Sequence, residues 1–156
     1  LSAMIDDPQS EVNLLNEQGI TTVFSSYGSG LRLWGNRTAA WPTVTHMRNF
    51  ENVRRTGDVI NESIRYFSQQ YIDMPITQAL IDALTESVNA YGRKMTGDGA
   101  VLGFRCWFDP ARNPETELAA GHLLLSYKYT PPPPLERLTF ETEITSEYLL
   151  TLKGGN

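Results

Sequence analysis

The sequence predicts an α+β fold: a small mixed β-sheet with packed α-helices, its C-terminal strand exchanged with a neighbouring copy. Three observations carry this expectation. Residues 53–71 and 77–94 repeat apolar side chains at helical spacing. Residues 20–26, 101–108 and 122–130 are strand-like in composition. Behind four consecutive prolines, residues 138–145 alternate strictly between apolar and polar side chains.

In chain order, residues 9–18 form a short helix. Asp6, Asp7 and Pro8 suit its dipole and first turn, Val12, Leu14 and Leu15 supply its apolar side, and Gly19 ends it. The β-rich residues 20–26 then meet a second strand through Tyr27-Gly28-Ser29-Gly30, whose residues fit a hairpin connection. That strand runs into residues 30–39, which gather Arg32, Trp34 and Arg37 at a strand end. Pro42 biases its predecessor away from helix, and residues 44–47 read as a short connection or edge strand.

The helix over residues 53–71 has a stripe of Val53, Gly57, Ile60, Ile64, Phe67 and Tyr71. On its charged face Arg54 and Asp58 stand four apart and Glu62 and Arg65 three apart, spacings that let each pair meet. Pro75 separates it from the helix over residues 77–94, with a stripe of Leu80, Leu84, Val88 and Tyr91 and with Arg93 and Lys94 at the C-terminal end, where the dipole favours cations. Gly97-Asp98-Gly99 is a turn, and residues 101–108 read as a central strand buried on both faces.

A loop with two prolines, residues 109–114, leads to a helical turn over residues 115–120 and a strand over residues 122–130. The prolines at residues 131–134 can join neither ladder nor helix and act as a stiff, extended spacer. Beyond them Leu138, Phe140, Thr142 and Ile144 fall on one side of a strand, and Thr139, Glu141, Glu143 and Thr145 on the other. Residues 148–152 add a short apolar end before the flexible Gly154-Gly155-Asn156.

One domain is expected from 156 residues, and 40% hydrophobic content is enough for a core. A net charge of -5 and a pI near 5.0 argue against a general nucleic-acid or anionic-membrane binder, which needs a basic surface. No apolar run approaches the roughly 20 residues of a membrane span, and no signal-peptide pattern opens the chain, so the reading is soluble and unsecreted. Cys106, the single cysteine, excludes an internal disulfide and fits a reducing compartment; with two histidines it leaves too few ligands for a structural zinc site. Opening on Leu1 in mid-pattern, the sequence reads as part of a longer polypeptide.

Candidate chemistry is sparse. Gly28, Gly30 and Gly35 match neither phosphate-loop nor dinucleotide spacing, and Asn36-Arg37-Thr38 and Asn61-Glu62-Ser63 are weak glycosylation triplets. Cys106 reads as an inert small hydrophobe, and His46 and His122 lack a partner that would define an acid-base pair. Glu141 and Glu143 read as a solvated strand face. No catalytic residue, metal site or cofactor emerges. A single alternating strand on a stiff tether buries its apolar face only by joining a sheet, and nothing requires that sheet to be its own; donation to a neighbouring copy follows.

Several separated motifs agree with one family. Asp6-Asp7-Pro8, Glu11-Val12-Asn13-Leu14-Leu15-Asn16, Gly19-Ile20-Thr21-Thr22, Leu31-Arg32-Leu33-Trp34-Gly35-Asn36-Arg37-Thr38, residues 50–63 and the closing residues 133–145 resemble, in order and spacing, the C-terminal region of contractile-phage tail sheath proteins of the phage and R-type pyocin group. The resemblance implies a structural subunit rather than an enzyme. Such subunits stack as rings around a tail tube, extended and strained, then rearrange to a shorter, wider helix that drives the tube through a bacterial envelope.

The implied partners are other sheath subunits, in a homo-oligomeric helical assembly, and the tail tube protein, with no direct nucleic acid and no membrane insertion. The implied place is the virion tail of a phage or tailocin particle, assembled in the bacterial cytoplasm. Residues 1–130 are then the sheath C-terminal core domain, residues 131–134 the spacer and residues 135–156 a C-terminal arm. Leu138, Phe140, Thr142 and Ile144 are expected at the strand-exchange interface, and Arg93 and Lys94 at the tube. Arg54, Arg55 and Arg37 are expected to pair with Asp58, Glu62 or another domain acid, and Trp34 to be packing. Whole sheath proteins carry variable outer domains and an N-terminal arm beyond this stretch. The alternative is a small soluble ligand-binding or enzymatic α+β domain.

Overall fold

A computed structural model describes residues 9–26, 28 and 30–149. Asp6, Asp7, Pro8, Tyr27, Ser29 and residues 150–156, to which expectations were attached, lie outside the described residues. The first helix, α1 (Glu11–Glu17), starts at Ser10, whose Oγ accepts from the Asn13 N–H at 3.4 Å and satisfies one of the open donors of the first turn. Val12 is buried, and α1 lies against β1 (Thr22–Ser26). The expected hairpin forms: β1 pairs antiparallel with β2 (Gly30–Trp34), from Thr22 opposite Trp34 to Ser26 opposite Gly30. Phe24 and Trp34 meet edge to face at 4.9 Å, so Trp34 is packing.

Residues 44–47 form no strand. Asn49, fully buried, donates from Nδ2 to the Val44 carbonyl at 2.8 Å, and its own carbonyl accepts from Thr38 N–H at 2.7 Å. These bonds curl the segment into a 3₁₀ turn, Met47–Asn49, that leads straight into α2 (Glu51–Ser68). The stripe of α2 is as expected, with Val53, Gly57 and Ile60 buried, and a 3₁₀ turn, Gln69–Tyr71, replaces its predicted last turn. Arg54 and Asp58 pair at 3.2 Å. Glu62 and Arg65, which their spacing lets meet, form no such pair among the described residues; exposed pairs gain only tenths of a kcal/mol, which side-chain entropy can cancel.

Helix α3 (Gln78–Gly97) begins at Thr77, whose Oγ1 accepts from Leu80 N–H at 3.2 Å. Its buried residues are Ile81, Leu84, Val88 and Gly92, so the inward stripe is turned slightly from the one predicted through Leu80 and Tyr91. Gly92 explains the turn. A Cβ there would sit 2.8 Å from Phe104 Cβ, so only glycine lets the helix backbone settle onto β3 (Gly103–Phe108). Gly92→Ala is expected to lower the unfolding free energy by about 1–3 kcal/mol through overpacking, measured by urea denaturation.

The sheet content comes as two separate antiparallel pairs, β1–β2 and β3–β4, with β4 spanning Leu125–Thr130. The expectation that residues 101–108 are central and buried on both faces is corrected. Among the described residues β3 pairs with β4 alone, Cys106 is its only buried side chain, and Arg105 stands exposed on the face away from α3. The apolar run hid a face whose Trp107 ring lies 5.9 Å from both Arg105 and Lys128. On the helix side Phe104, Tyr127 and Tyr129 stack at 5.8–6.3 Å.

Between the strands, α4 (Glu115–Ala119) follows a 3₁₀ turn at Pro110–Arg112. Buried Asn113 accepts from Leu124 N–H at 2.7 Å and donates to the Leu124 carbonyl at 3.0 Å. These bonds occupy Leu124, so β4 begins at Leu125 rather than at residue 122.

Candidate assembly surface

The C-terminal arm leaves β4 along the core. Pro131 is buried, and Asn52 Nδ2 donates to the Pro132 carbonyl at 3.1 Å. Farther on, Glu136 takes a hydrogen-bonded ion pair from Arg37 Nη2. The proline segment therefore lies on the core rather than standing off it. Arg37 is built for this contact: its guanidinium lies 4.1 Å from the Trp41 ring centroid and 4.2 Å from that of Phe50, while Nη1 donates to Asn49 Oδ1. Its main chain bridges to Phe50. Two rings fix the plane of the guanidinium, and its fork serves two acceptors, which a lysine ammonium could not reproduce.

Residues 137–149 are exposed to water. Leu138 is 64% exposed, Phe140 81% and Ile144 97%, Thr142 is exposed as well, and residues 131–145 carry no ladder in this chain. The expected strand over residues 138–145 is not formed within this chain, and its apolar residues are uncovered. An apolar groove of about 650 Å³ opens between the end of α2, the start of α3 and β4, lined among others by Ile64, Tyr71, Met74, Leu84, Leu123 and Tyr127.

The remaining candidates lie outside the arm, although Cys106 and Tyr127 line the groove. Arg93 and Lys94 are exposed on the last turns of α3, where Arg93 pairs with Glu86. Cys106 is buried, and burial pushes its thiol pKa up against a smaller lowering by the Trp107 main-chain hydrogen bond, which agrees with an inert thiol. Asn61, in one glycosylation triplet, accepts from the Tyr127 hydroxyl. Burial, with Tyr129 and Cys106 beside it, raises the Tyr127 pKa, so that hydroxyl remains a donor. His46 Nδ1 accepts from Arg48 N–H at 3.2 Å, and His122 lies 2.9 Å from Glu117 on the surface. Among the described residues no cluster of His, Cys, Asp and Glu is arranged to hold a metal, and no helix is long and apolar enough to cross a membrane. Glu136 and Asn49 have no mark in the sequence, since single polar residues carry no periodic signal.

The fold matches a chain in the cryo-EM structure of the anti-feeding prophage baseplate with a TM-score of 0.74 and 18% identity, covering 85% of this chain and 38% of that one. It matches a chain of the sheath complex of an extracellular contractile injection system in the contracted state with a TM-score of 0.75 and 14% identity, covering 85% and 39%. Over residues 43–145 the sequence matches the phage tail sheath C-terminal domain, and the chain belongs to that family.

The tail sheath protein of Burkholderia phage BcepMu is 85% identical over 156 residues, which is 100% of this chain and 33% of the relative. The tail sheath protein of Escherichia phage P2 is 36% identical over 148 residues, 95% of this chain and 36% of the relative. The chain thus spans about one third of the length of the relatives it matches.

Proposed function

We propose that the chain is the C-terminal part of a contractile tail sheath subunit, which surrounds the tail tube of a phage or tailocin particle and contracts to drive it through the bacterial envelope. Its role is structural, without catalysis or cofactor, and its partners are further copies of itself and the tube protein. The observation that carries this reading is the arm of a sheath-family chain whose apolar side, Leu138, Phe140 and Ile144, is exposed and unpaired. Together with Thr142 these residues join a sheet of a neighbouring copy, where main-chain hydrogen bonds hold subunits together while they rotate. In the assembled sheath residues 131–134 are the spacer, seated on the core, and residues 135–156 the arm, and assembly takes place in the bacterial cytoplasm.

Electron microscopy of the full-length protein tests this. Striated tubes or rings are expected; a monomer with a ligand-filled groove would overturn it. For the tube we nominate Arg93 and Lys94, exposed at the end of α3. Reversing both to glutamate should weaken tube-templated assembly about tenfold at low salt and less at high salt, where screening is strong. Unchanged assembly at low salt removes the nomination.

A further inference from the structure

We infer that Asn89 closes one edge of the β3–β4 sheet and so directs a strand donated by a second copy to the free edge of β4. The inference rests on the strand-exchange reading above and adds the receiving edge to it. Gly92 brings α3 down onto Phe104, and Asn89, nearly one turn earlier on the same helix, reaches the main chain of β3. Its Nδ2 donates to the Cys106 carbonyl at 3.0 Å, and its Oδ1 accepts from Cys106 N–H at 2.8 Å. One side-chain amide therefore makes both bonds that a neighbouring strand would make at this position, and the edge is closed in the way that exposed edges are protected against pairing.

Cys106 stands opposite Tyr127. In an antiparallel ladder a residue whose main-chain groups turn outward faces one whose groups also turn outward, so the N–H and C=O of Tyr127 point out of the far edge of β4. Among the described residues β4 pairs with β3 alone. Charge agrees with this edge. The solvent face of the sheet carries Arg105 opposite Lys128, both exposed. An arm laid beside β4 with Leu138, Phe140 and Ile144 turned toward the helices places Glu141 and Glu143 on the face of Lys128, an arrangement that favours pairing.

Cysteine cross-linking of the assembled full-length protein tests the edge. Variants carry a cysteine at one of Thr139, Glu141 or Glu143 together with either Lys128→Cys or Arg105→Cys; Cys106, 3% exposed, is left in place. Adjacent strands bring Cα atoms to about 5.5 Å, within disulfide reach, whereas a strand two places away lies roughly 9–10 Å off and out of reach. Oxidation should give about tenfold more intersubunit ladder with Lys128→Cys than with Arg105→Cys. The reverse preference overturns the edge assignment, while intact tubes with neither ladder overturn strand exchange itself. Adding Asn89→Ala should raise the Arg105→Cys ladder about fivefold, since the blocked edge is then open; no rise removes the role of Asn89. The comparison of the two edges is made with Asn89 present and stands whether or not the alanine variant folds.

Discussion

Truncating the full-length protein after Arg137 is expected to abolish tube and ring formation while leaving its circular dichroism and unfolding midpoint unchanged. The cut belongs there because residues 131–136 are part of the core surface: Pro131 is buried, Pro132 accepts from Asn52, and Glu136 holds Arg37. Removing those residues as well would mix a stability defect with an assembly defect. Phe140→Asp with Ile144→Asp makes the same point without shortening the chain. Both side chains are more than four-fifths exposed here, so the substitutions cost the isolated fold nothing that the structure reveals. Each large apolar side chain gains about 1.5–3 kcal/mol on burial, so losing two weakens every subunit contact by roughly 3–6 kcal/mol, a hundredfold or more in association constant. Normal tubes from either variant, judged by electron microscopy and sedimentation, would remove the arm from assembly.

How much of this was legible in the sequence depends on how far each cause lies along the chain. The stripe of α2 and the β1–β2 hairpin follow from local spacing and turn residues, and both stand as expected. The stripe of α3 was read slightly off because apolar spacing cannot tell Leu80 from Ile81, while the deciding residue, Gly92, contributes no hydrophobicity and acts only through its closeness to Phe104. The run at residues 101–108 looked buried on both faces; aromatic Trp107 is apolar, yet it serves as a platform for exposed cations. For the arm, the pattern was legible and the strand was not realised within the chain, because a strand exists only with a partner. Part of the assembly surface lay beyond sequence reasoning. An acid partner for Arg37 was expected, but nothing local points to Glu136, 99 residues away. Asn89 has no sequence mark at all; its meaning comes from the main chain of Cys106, 17 residues on.

Replacing Arg37 should have the largest effect on the fold. Its side chain is 16% exposed, and Glu136 is 36% exposed. Arg37→Met keeps much of the stem that packs between Trp41 and Phe50 but leaves Asn49 Oδ1 and the Glu136 carboxylate without their donor. Asn49 is the heavier loss, since it is fully buried and joins residues 38, 44 and 37 at the entry to α2. An orphaned buried acceptor costs about 1–3 kcal/mol, and the half-exposed ion pair adds about 1 kcal/mol once solvent screening is allowed for. A decrease of about 2–4 kcal/mol in unfolding free energy is therefore expected by urea denaturation. Glu136→Gln separates the two roles. It leaves Asn49 satisfied, so stability should fall by no more than about 1 kcal/mol, while amide exchange at residues 133–137 should quicken as the arm base loosens. If Arg37→Met and Glu136→Gln cost the same, Asn49 is not the centre of the clamp; if Glu136→Gln leaves exchange at the arm base unchanged, the ion pair does not hold it.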